Sequence, residues 1–153
     1  MNIISDDIKR FILAQHFIIV STVGSDGIPH SSCKGIVKIN TDGTIYLLDL
    51  YMGQTYENLT MNPSINLTAV DEHKFKGYCL KGTAEVVSSD KWKPDVLKAW
   101  EQRMTSRITH RILKNLRGEK GHPKHPEAQL PRPKYLIAIT VKEVIDLTPP
   151  QLR

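Results

Sequence analysis

Short runs of alternating hydrophobic and polar residues predict strands along most of the chain. Two of these runs end at residues 24–27 and 40–43, where glycine, asparagine and aspartate favour hairpin turns. Since tight turns join antiparallel neighbours, the first three strands form an antiparallel meander. In the fifth strand, Gly82 marks a bulge or a close backbone approach. The six predicted strands span residues 17–23, 30–39, 44–50, 65–70, 78–87 and 135–141.

Three helices are predicted between these strands. The first begins after Ser5, whose hydroxyl caps it, and ends near His16. A short second helix spans residues 53–62 and stops before Pro63. In the long third helix, which Gly118 ends, apolar residues recur every three or four positions. That apolar stripe consists of Leu97, Trp100, Met104, Ile108, Ile112 and Leu116.

The order of these elements predicts one domain of mainly β structure with helices. A chain of 153 residues leaves no room for a second domain with its own core. Six short antiparallel strands that must hide their edges indicate a small closed or partly closed barrel with helices outside it. The long helix and a loop, together about residues 90–133, are inserted before the last strand.

The positive charge is concentrated in one segment. Residues 91–124 hold ten lysines and arginines against three acids, a local charge of +7 within a net charge of +5. Four of these bases form a basic stripe about 100° around the long helix from the apolar stripe. An anionic ligand, nucleic acid or a simply solvated helix face would each explain it. The basic stripe consists of Arg103, Arg107, Arg111 and Lys114.

Several classes of protein are excluded by what the sequence lacks. Its apolar runs, such as residues 17–20, are far shorter than the ~20 residues that cross a membrane, and its first residues are acidic rather than basic. We therefore expect a soluble, cytoplasmic protein. Cys33 and Cys79 lack the spacing of a disulfide framework or a zinc knuckle, and we expect no metal site at His122 and His125.

The start of the short second helix is a candidate anion site. If Thr55 caps this helix, the N–H groups of residues 56–58 point at one spot together with the Gln54 amide. Such a spot would hold a phosphate. The alternative is that Thr55 only caps its own helix.

The second strand begins with polar residues. Strand alternation places Ser32 and Lys34 on one face and Ser31 and Cys33 on the other. These hydroxyls and the ammonium could meet a phosphate or the polar edge of a ring. An edge strand kept soluble by polar side chains explains them equally well.

Six motifs follow one another in a characteristic order and spacing. They are VSTV at 20–23, DGIPH at 26–30, GTIYL at 43–47, GQTYENL at 53–59, GYCLKGTAE at 77–85 and IAITV at 137–141. In this order they resemble the pyridoxamine 5′-phosphate oxidase-like family of FMN-binding split barrels. Ser32 and Val37 stand where the true oxidases carry arginine and lysine. The chain is thus more similar to the small FMN-binding and flavin reductase-like members.

The resemblance implies a six-stranded antiparallel split β-barrel that forms a homodimer with shared FMN sites. The cofactor-binding residues it implies are Ser31, Ser32, Cys33 and Lys34 beside the flavin, Leu48, Asp49 and Leu50 along its ring, and Gln54, Thr55 and Asn58 at its phosphate. The anion site deduced from the second helix agrees with the last group. No catalytic acid or base can be named from the sequence.

The leading functional hypothesis is an FMN-dependent oxidoreductase, because the flavin itself carries the hydride chemistry. A small-molecule or nicotinamide reductant would arrive beside the basic stripe. One alternative is a non-catalytic flavin or electron carrier, or a variant that holds haem or a deazaflavin. A nucleic-acid-binding module is less favoured, because the basic face lacks exposed aromatic residues.

Overall fold

A computed structural model describes residues 3–49, 51–122 and 134–153. In these residues, seven strands form one curled antiparallel sheet with three α-helices packed against it. The strands are β1 (Ile18–Val23), β2 (Pro29–Lys34), β3 (Ile36–Ile39), β4 (Ile45–Asp49), β5 (Ser64–Asp71), β6 (Lys76–Ser88) and β7 (Tyr135–Asp146). The helices are α1 (Asp6–Ala14), α2 (Gln54–Met61) and α3 (Pro94–Leu116).

The sheet is an opened barrel, which confirms the predicted fold class. Its strand order is β2-β1-β5-β6-β7-β4-β3, so β2 and β3 occupy opposite edges although they follow one another in the chain. The prediction of six strands was wrong, because the predicted second strand, residues 30–39, breaks in two at Gly35. The chain leaves one edge of the sheet there and joins the other.

The last two strands are longer than predicted because they pair along nearly their whole length. Their register shifts between Lys81 and Gly82. A Cβ atom at Gly82 would lie 2.2 Å from the carbonyl oxygen of Thr140, so only glycine fits this approach. The predicted close backbone approach at Gly82 is confirmed.

Two apolar clusters hold the helices to the sheet. The larger fills the concave side, where Val20, Leu47 and Ile137 are fully buried and Ile12 of α1 and Leu59 of α2 cover them. The smaller lies beneath α3 and joins Val37, Tyr46, Leu48, Val96 and Leu136. Because α3 packs on the convex side of β3, β4 and β7, it borders the break between β2 and β3.

The apolar stripe packs on the sheet only in the first half of α3. Trp100 packs against the smaller cluster, whereas Ile112 and Leu116 are 54% and 80% exposed. A helix of 23 residues is roughly 35 Å long and extends past the edge of the sheet. Gly118, with φ of +84°, follows its end as predicted. Among the described helices, none is both long and apolar enough to cross a membrane.

Candidate ligand-binding site

The start of α2 differs from the prediction at Thr55. The helix begins at Gln54, and Gly53 rather than Thr55 occupies the N-cap position, without a side-chain cap. Thr55 is buried, and its hydroxyl shares a hydrogen bond of 3.0 Å with the Ser32 hydroxyl of β2. The N–H of Glu57 donates to the Gly53 carbonyl oxygen. The predicted capping role of Thr55 is therefore wrong, because Ser32 offers its hydroxyl a partner and the contact ties α2 to β2.

Gln54 and Asn58 also bond within the protein. The Asn58 side chain is fully buried, and its Nδ2 donates to Thr22 Oγ1 of β1 at 3.0 Å. Its Oδ1 accepts from Gln54 Nε2 at 2.9 Å. A buried amide requires such partners, so these two side chains hold α2 against the sheet.

The predicted alternation of β2 is confirmed. Ser32 and Lys34 are half-buried, whereas Ser31 and Cys33 are exposed on the opposite face. Ser31 shares a hydrogen bond of 2.9 Å with Ser21 of β1, and Cys33 is a free thiol. The two faces of β2 therefore meet different surroundings.

A network of charged and polar groups lies where β2 approaches β4. Lys34 Nζ donates to Asp49 Oδ2 at 2.8 Å, and the Tyr135 hydroxyl donates to the same oxygen. Burial, with the Asp49 carboxylate beside it, raises the pKa of Tyr135 above its usual range. The phenol therefore stays protonated and remains a donor.

A cavity of about 920 Å³ opens beside this network, between α3, the end of α1 and the break at Gly35. Four of the ten predicted cofactor-binding residues line it: Cys33, Lys34, Leu48 and Asp49. Leu50 lies outside the described residues. The other five predicted residues, which do not line the cavity, are Ser31, Ser32, Gln54, Thr55 and Asn58.

The basic stripe of α3 forms one wall of this cavity. Arg103 donates to the carbonyl oxygens of Leu13 and Gln15 at 3.4 and 3.3 Å, which ties α3 to the end of α1. Arg107 lies against Gly35. A Cβ atom added to Gly35 would be 3.0 Å from the Arg107 guanidinium. Among the described lining residues, six lysines and arginines face two acids. The wall therefore favours an anionic ligand.

The remaining walls are apolar and aromatic. Trp100, Met104 and Ile36 line the cavity, and the imidazoles of His16 and His110 stack there with centroids 5.8 Å apart. This histidine pair could not be predicted from the sequence, since 94 positions separate its members and neither belongs to a motif. The role of Tyr135 was not predicted either, because the sequence pattern indicates only that it begins a strand. A large, concave and partly apolar cavity with a few convergent polar groups is typical of a small-molecule site.

Comparisons with known proteins agree with this architecture. HupZ from Group A Streptococcus is 22% identical, with 95% of this chain and 94% of that chain covered and a TM-score of 0.63. HutZ, the heme storage protein from Vibrio cholerae, is 19% identical, with 95% and 94% covered and a TM-score of 0.56. An F420 reductase is 15% identical, with 90% and 94% covered and a TM-score of 0.54. At these identities the likeness shows the fold alone.

The sequence comparisons identify the family. No curated protein sequence matches the chain. The family model described as pyridoxamine 5′-phosphate oxidase matches residues 4–147, which is nearly the whole chain. The protein therefore belongs to the pyridoxamine 5′-phosphate oxidase family.

Proposed function

We propose that the protein binds FMN in the cavity beside α3 and acts as a flavin-dependent oxidoreductase. The observation that carries this proposal is a cavity of about 920 Å³ lined by Cys33, Lys34, Leu48 and Asp49, four residues that the family resemblance assigns to the flavin. Ligand sites usually measure about 300–1,000 Å³, so the volume suits a molecule of this size. When bound, a flavin supplies the hydride chemistry.

The chemistry of the walls fits a flavin mononucleotide. An isoalloxazine needs apolar contact on its faces, which Trp100 and Leu48 offer, and polar donors at its edge, which Lys34 offers. A phosphate needs positive charge or hydroxyl donors. The basic stripe supplies positive charge in the cavity wall.

We also propose that two copies of the chain share their flavin sites. The sheet face opposite the core carries Ile19 and Ser21 on β1 beside Cys33 and Ser31 on β2, which are their register partners. Cys33 is exposed on this face and also lines the cavity. A second copy that covers the face would therefore close the cavity at Cys33 and exclude water from the cofactor.

The test is direct binding of flavins to purified protein. Loss of flavin fluorescence on titration gives the affinity and the stoichiometry, and we expect one FMN per chain with FMN bound more tightly than riboflavin or FAD. Lys34→Met should weaken binding, whereas Lys98→Met, an exposed lysine of α3 that does not line the cavity, should leave it unchanged. Absence of any flavin binding would overturn the proposal. Oxidation of NADH or NADPH by the FMN-loaded protein would indicate an oxidoreductase, and its absence would favour an electron carrier.

A haem site is the second candidate function, and the stacked pair of His16 and His110 favours it. Imidazole is a common axial ligand of haem iron, and the neighbouring arginines would pair with propionates. The fold is also that of HutZ, the heme storage protein from Vibrio cholerae. Titration with haemin decides between the candidates: a Soret band that His110→Ala abolishes supports haem, and its absence together with FMN binding supports the flavin. The F420 reductase fold makes a deazaflavin the third compound to titrate.

A further inference from the structure

Donors from three different strands and loops surround one carboxylate at the edge of the cavity. Lys34 at the end of β2 and Tyr135 at the start of β7 both donate to Asp49 Oδ2, the former at 2.8 Å. The backbone N–H of Tyr51 donates to Asp49 Oδ1 at 3.2 Å. With donors on both oxygens, the carboxylate is held in one orientation.

The network crosses the opening of the split barrel. Within the sheet, Asp49 of β4 and Tyr135 of β7 lie directly opposite each other. Lys34 belongs to β2, which is an edge strand and does not pair with β4. Tyr135 therefore fixes Asp49 from inside the sheet, and Asp49 fixes the Lys34 ammonium from across the opening.

Three members of this network can meet a ligand. Lys34, Asp49 and Tyr51 line the cavity, whereas Tyr135 does not. Tyr135 is 2% exposed, and its ring packs edge-on against Tyr56 of α2 with centroids 4.8 Å apart. Any effect of the Tyr135 hydroxyl on a ligand in the cavity must therefore pass through Asp49.

The Lys34 ammonium has donors to spare. In the described part of the chain it makes one hydrogen bond, to Asp49, and an ammonium has three N–H donors. Its side chain is only 11% exposed, so its position depends on this single partner. The raised pKa of the buried Tyr135 phenol keeps that hydroxyl a donor to Asp49 at neutral pH.

We propose that Tyr135 is a positioning residue that holds Asp49 so that the Lys34 ammonium faces the cofactor in the cavity. The proposal rests on the flavin function proposed above. A positive charge beside an isoalloxazine favours its electron-rich reduced form. Lys34 then sets how much more tightly the reduced cofactor binds than the oxidised one. Without the Tyr135 hydroxyl, Asp49 Oδ2 loses one of its two donors, so the carboxylate and the ammonium bonded to it shift.

The first test uses the protein without cofactor and follows the Lys34 ammonium by ¹H–¹⁵N NMR of labelled lysine. Lys34→Gln identifies the signal. Tyr135→Phe keeps the ring and removes the hydroxyl, and Tyr46→Phe is the matched control because Tyr46 is also buried but lies outside the network. We expect Tyr135→Phe to shift or broaden the signal and Tyr46→Phe to leave it unchanged. A signal in Tyr135→Phe identical to that of the wild type would overturn the proposal. Should Tyr135→Phe fail to fold, Asp49→Asn must move the signal instead.

The second test measures the reduction potential of bound FMN in the same variants. Loss of one well-placed charged contact is worth about a tenfold change in affinity. We therefore expect the preference for reduced over oxidised FMN to fall about tenfold in Tyr135→Phe, which is about 30 mV for two electrons. Lys34→Gln should lower the potential at least as far, and Tyr46→Phe should not lower it.

The two tests separate this proposal from the proposed function. If the Lys34 ammonium is displaced in Tyr135→Phe but the reduction potential of bound FMN equals that of the wild type, the proposed effect of Tyr135 on the cofactor is overturned. A wild-type protein that binds no flavin would overturn the proposed function. The NMR result would then still decide whether Tyr135 positions Lys34.

Discussion

At the scale of single residues, the site is built from polar side chains that other elements hold in place. Ser32 and Lys34 project from one face of β2 and meet Thr55 of α2 and Asp49 of β4. Strand alternation predicted that Ser32 and Lys34 share a face. Their partners could not be predicted, because Thr55 and Asp49 reach them only when the sheet curls. For the same reason, the sequence predicted that Thr55 caps its own helix.

The hydroxyl pair of Ser32 and Thr55 makes a testable contribution to stability. Thr55→Val keeps the shape of the side chain and leaves the Ser32 hydroxyl without this partner, so we expect the free energy of unfolding to fall by about 1 kcal/mol. Ser32→Ala should cost a similar amount, and the double variant should cost less than the sum. Urea unfolding without cofactor measures all three. Additive losses would mean that the hydroxyls do not interact.

The same variants test the predicted phosphate contact. If Ser32 and Thr55 hold the FMN phosphate, Thr55→Val should weaken FMN binding by about tenfold and leave riboflavin binding unchanged, since riboflavin has no phosphate. Equal losses for both ligands would indicate a general change in the site. An unchanged affinity for FMN would limit Thr55 to the structural contact with Ser32.

Tyr135 gives the protein a dependence on alkaline pH. Burial and the Asp49 carboxylate raise the pKa of this phenol in the folded state, whereas the unfolded chain keeps a value near 10. Above that pH the folded state binds more protons than the unfolded state, so the free energy of unfolding falls by up to about 1.4 kcal/mol per pH unit. Below it, this contribution is fully present. Urea unfolding between pH 8 and 11 should show the fall in the wild type and a smaller one in Tyr135→Phe. If the free energy of unfolding falls equally with pH in both proteins, the pH dependence does not come from Tyr135.

At the scale of elements, α3 has two different roles along its length. Its first half packs on the sheet through Val96 and Trp100. Its middle presents the basic stripe to the cavity, with Arg103 bonded to the end of α1 and Arg107 against Gly35. The helical period predicted the two stripes and the angle between them. Which half would leave the sheet depends on where β3 and β4 end, and the sequence of α3 does not contain that information.

Charge reversal separates the two roles of the basic stripe. We expect Arg107→Glu with Arg111→Glu to weaken the binding of FMN or of an anionic reductant at low salt. The difference from wild type should shrink as salt rises, because salt screens these partly exposed charges. Lys98→Glu removes the same type of charge from the same helix outside the cavity and serves as the control. Arg103→Glu should instead lower the melting temperature, since Arg103 bonds to the end of α1. Unchanged affinities in the double variant would make this part of the stripe a solvated face.

At the scale of the whole molecule, α3 covers the outer side of the sheet at β3, β4 and β7, but in the described part of the chain the outer face of β1 and β2 is exposed. On β1, Ile19 pairs with Cys33 of β2 and with Thr68 of β5, and Ser21 pairs with Ser31 and Asn66 in the same way. All six residues point away from the core and none carries a charge. A monomeric protein usually covers or charges such a surface near an edge strand. The face is thus suited to a second copy of the chain, in agreement with the homodimer that the family resemblance implies.

A lysine on this face should separate the two copies. We expect sedimentation to show a dimer of the wild-type protein and a monomer of Ile19→Lys, since a new charge buried in a contact between these uncharged faces has no partner there. Ser89→Lys, at an exposed position before α3, is the control and should remain dimeric. If the flavin sites are shared, the monomer of Ile19→Lys should also lose FMN affinity, although its cavity residues are intact. If the wild-type protein contains monomers as well as dimers and the monomers bind one FMN as tightly as the dimers do, each chain holds its cofactor alone.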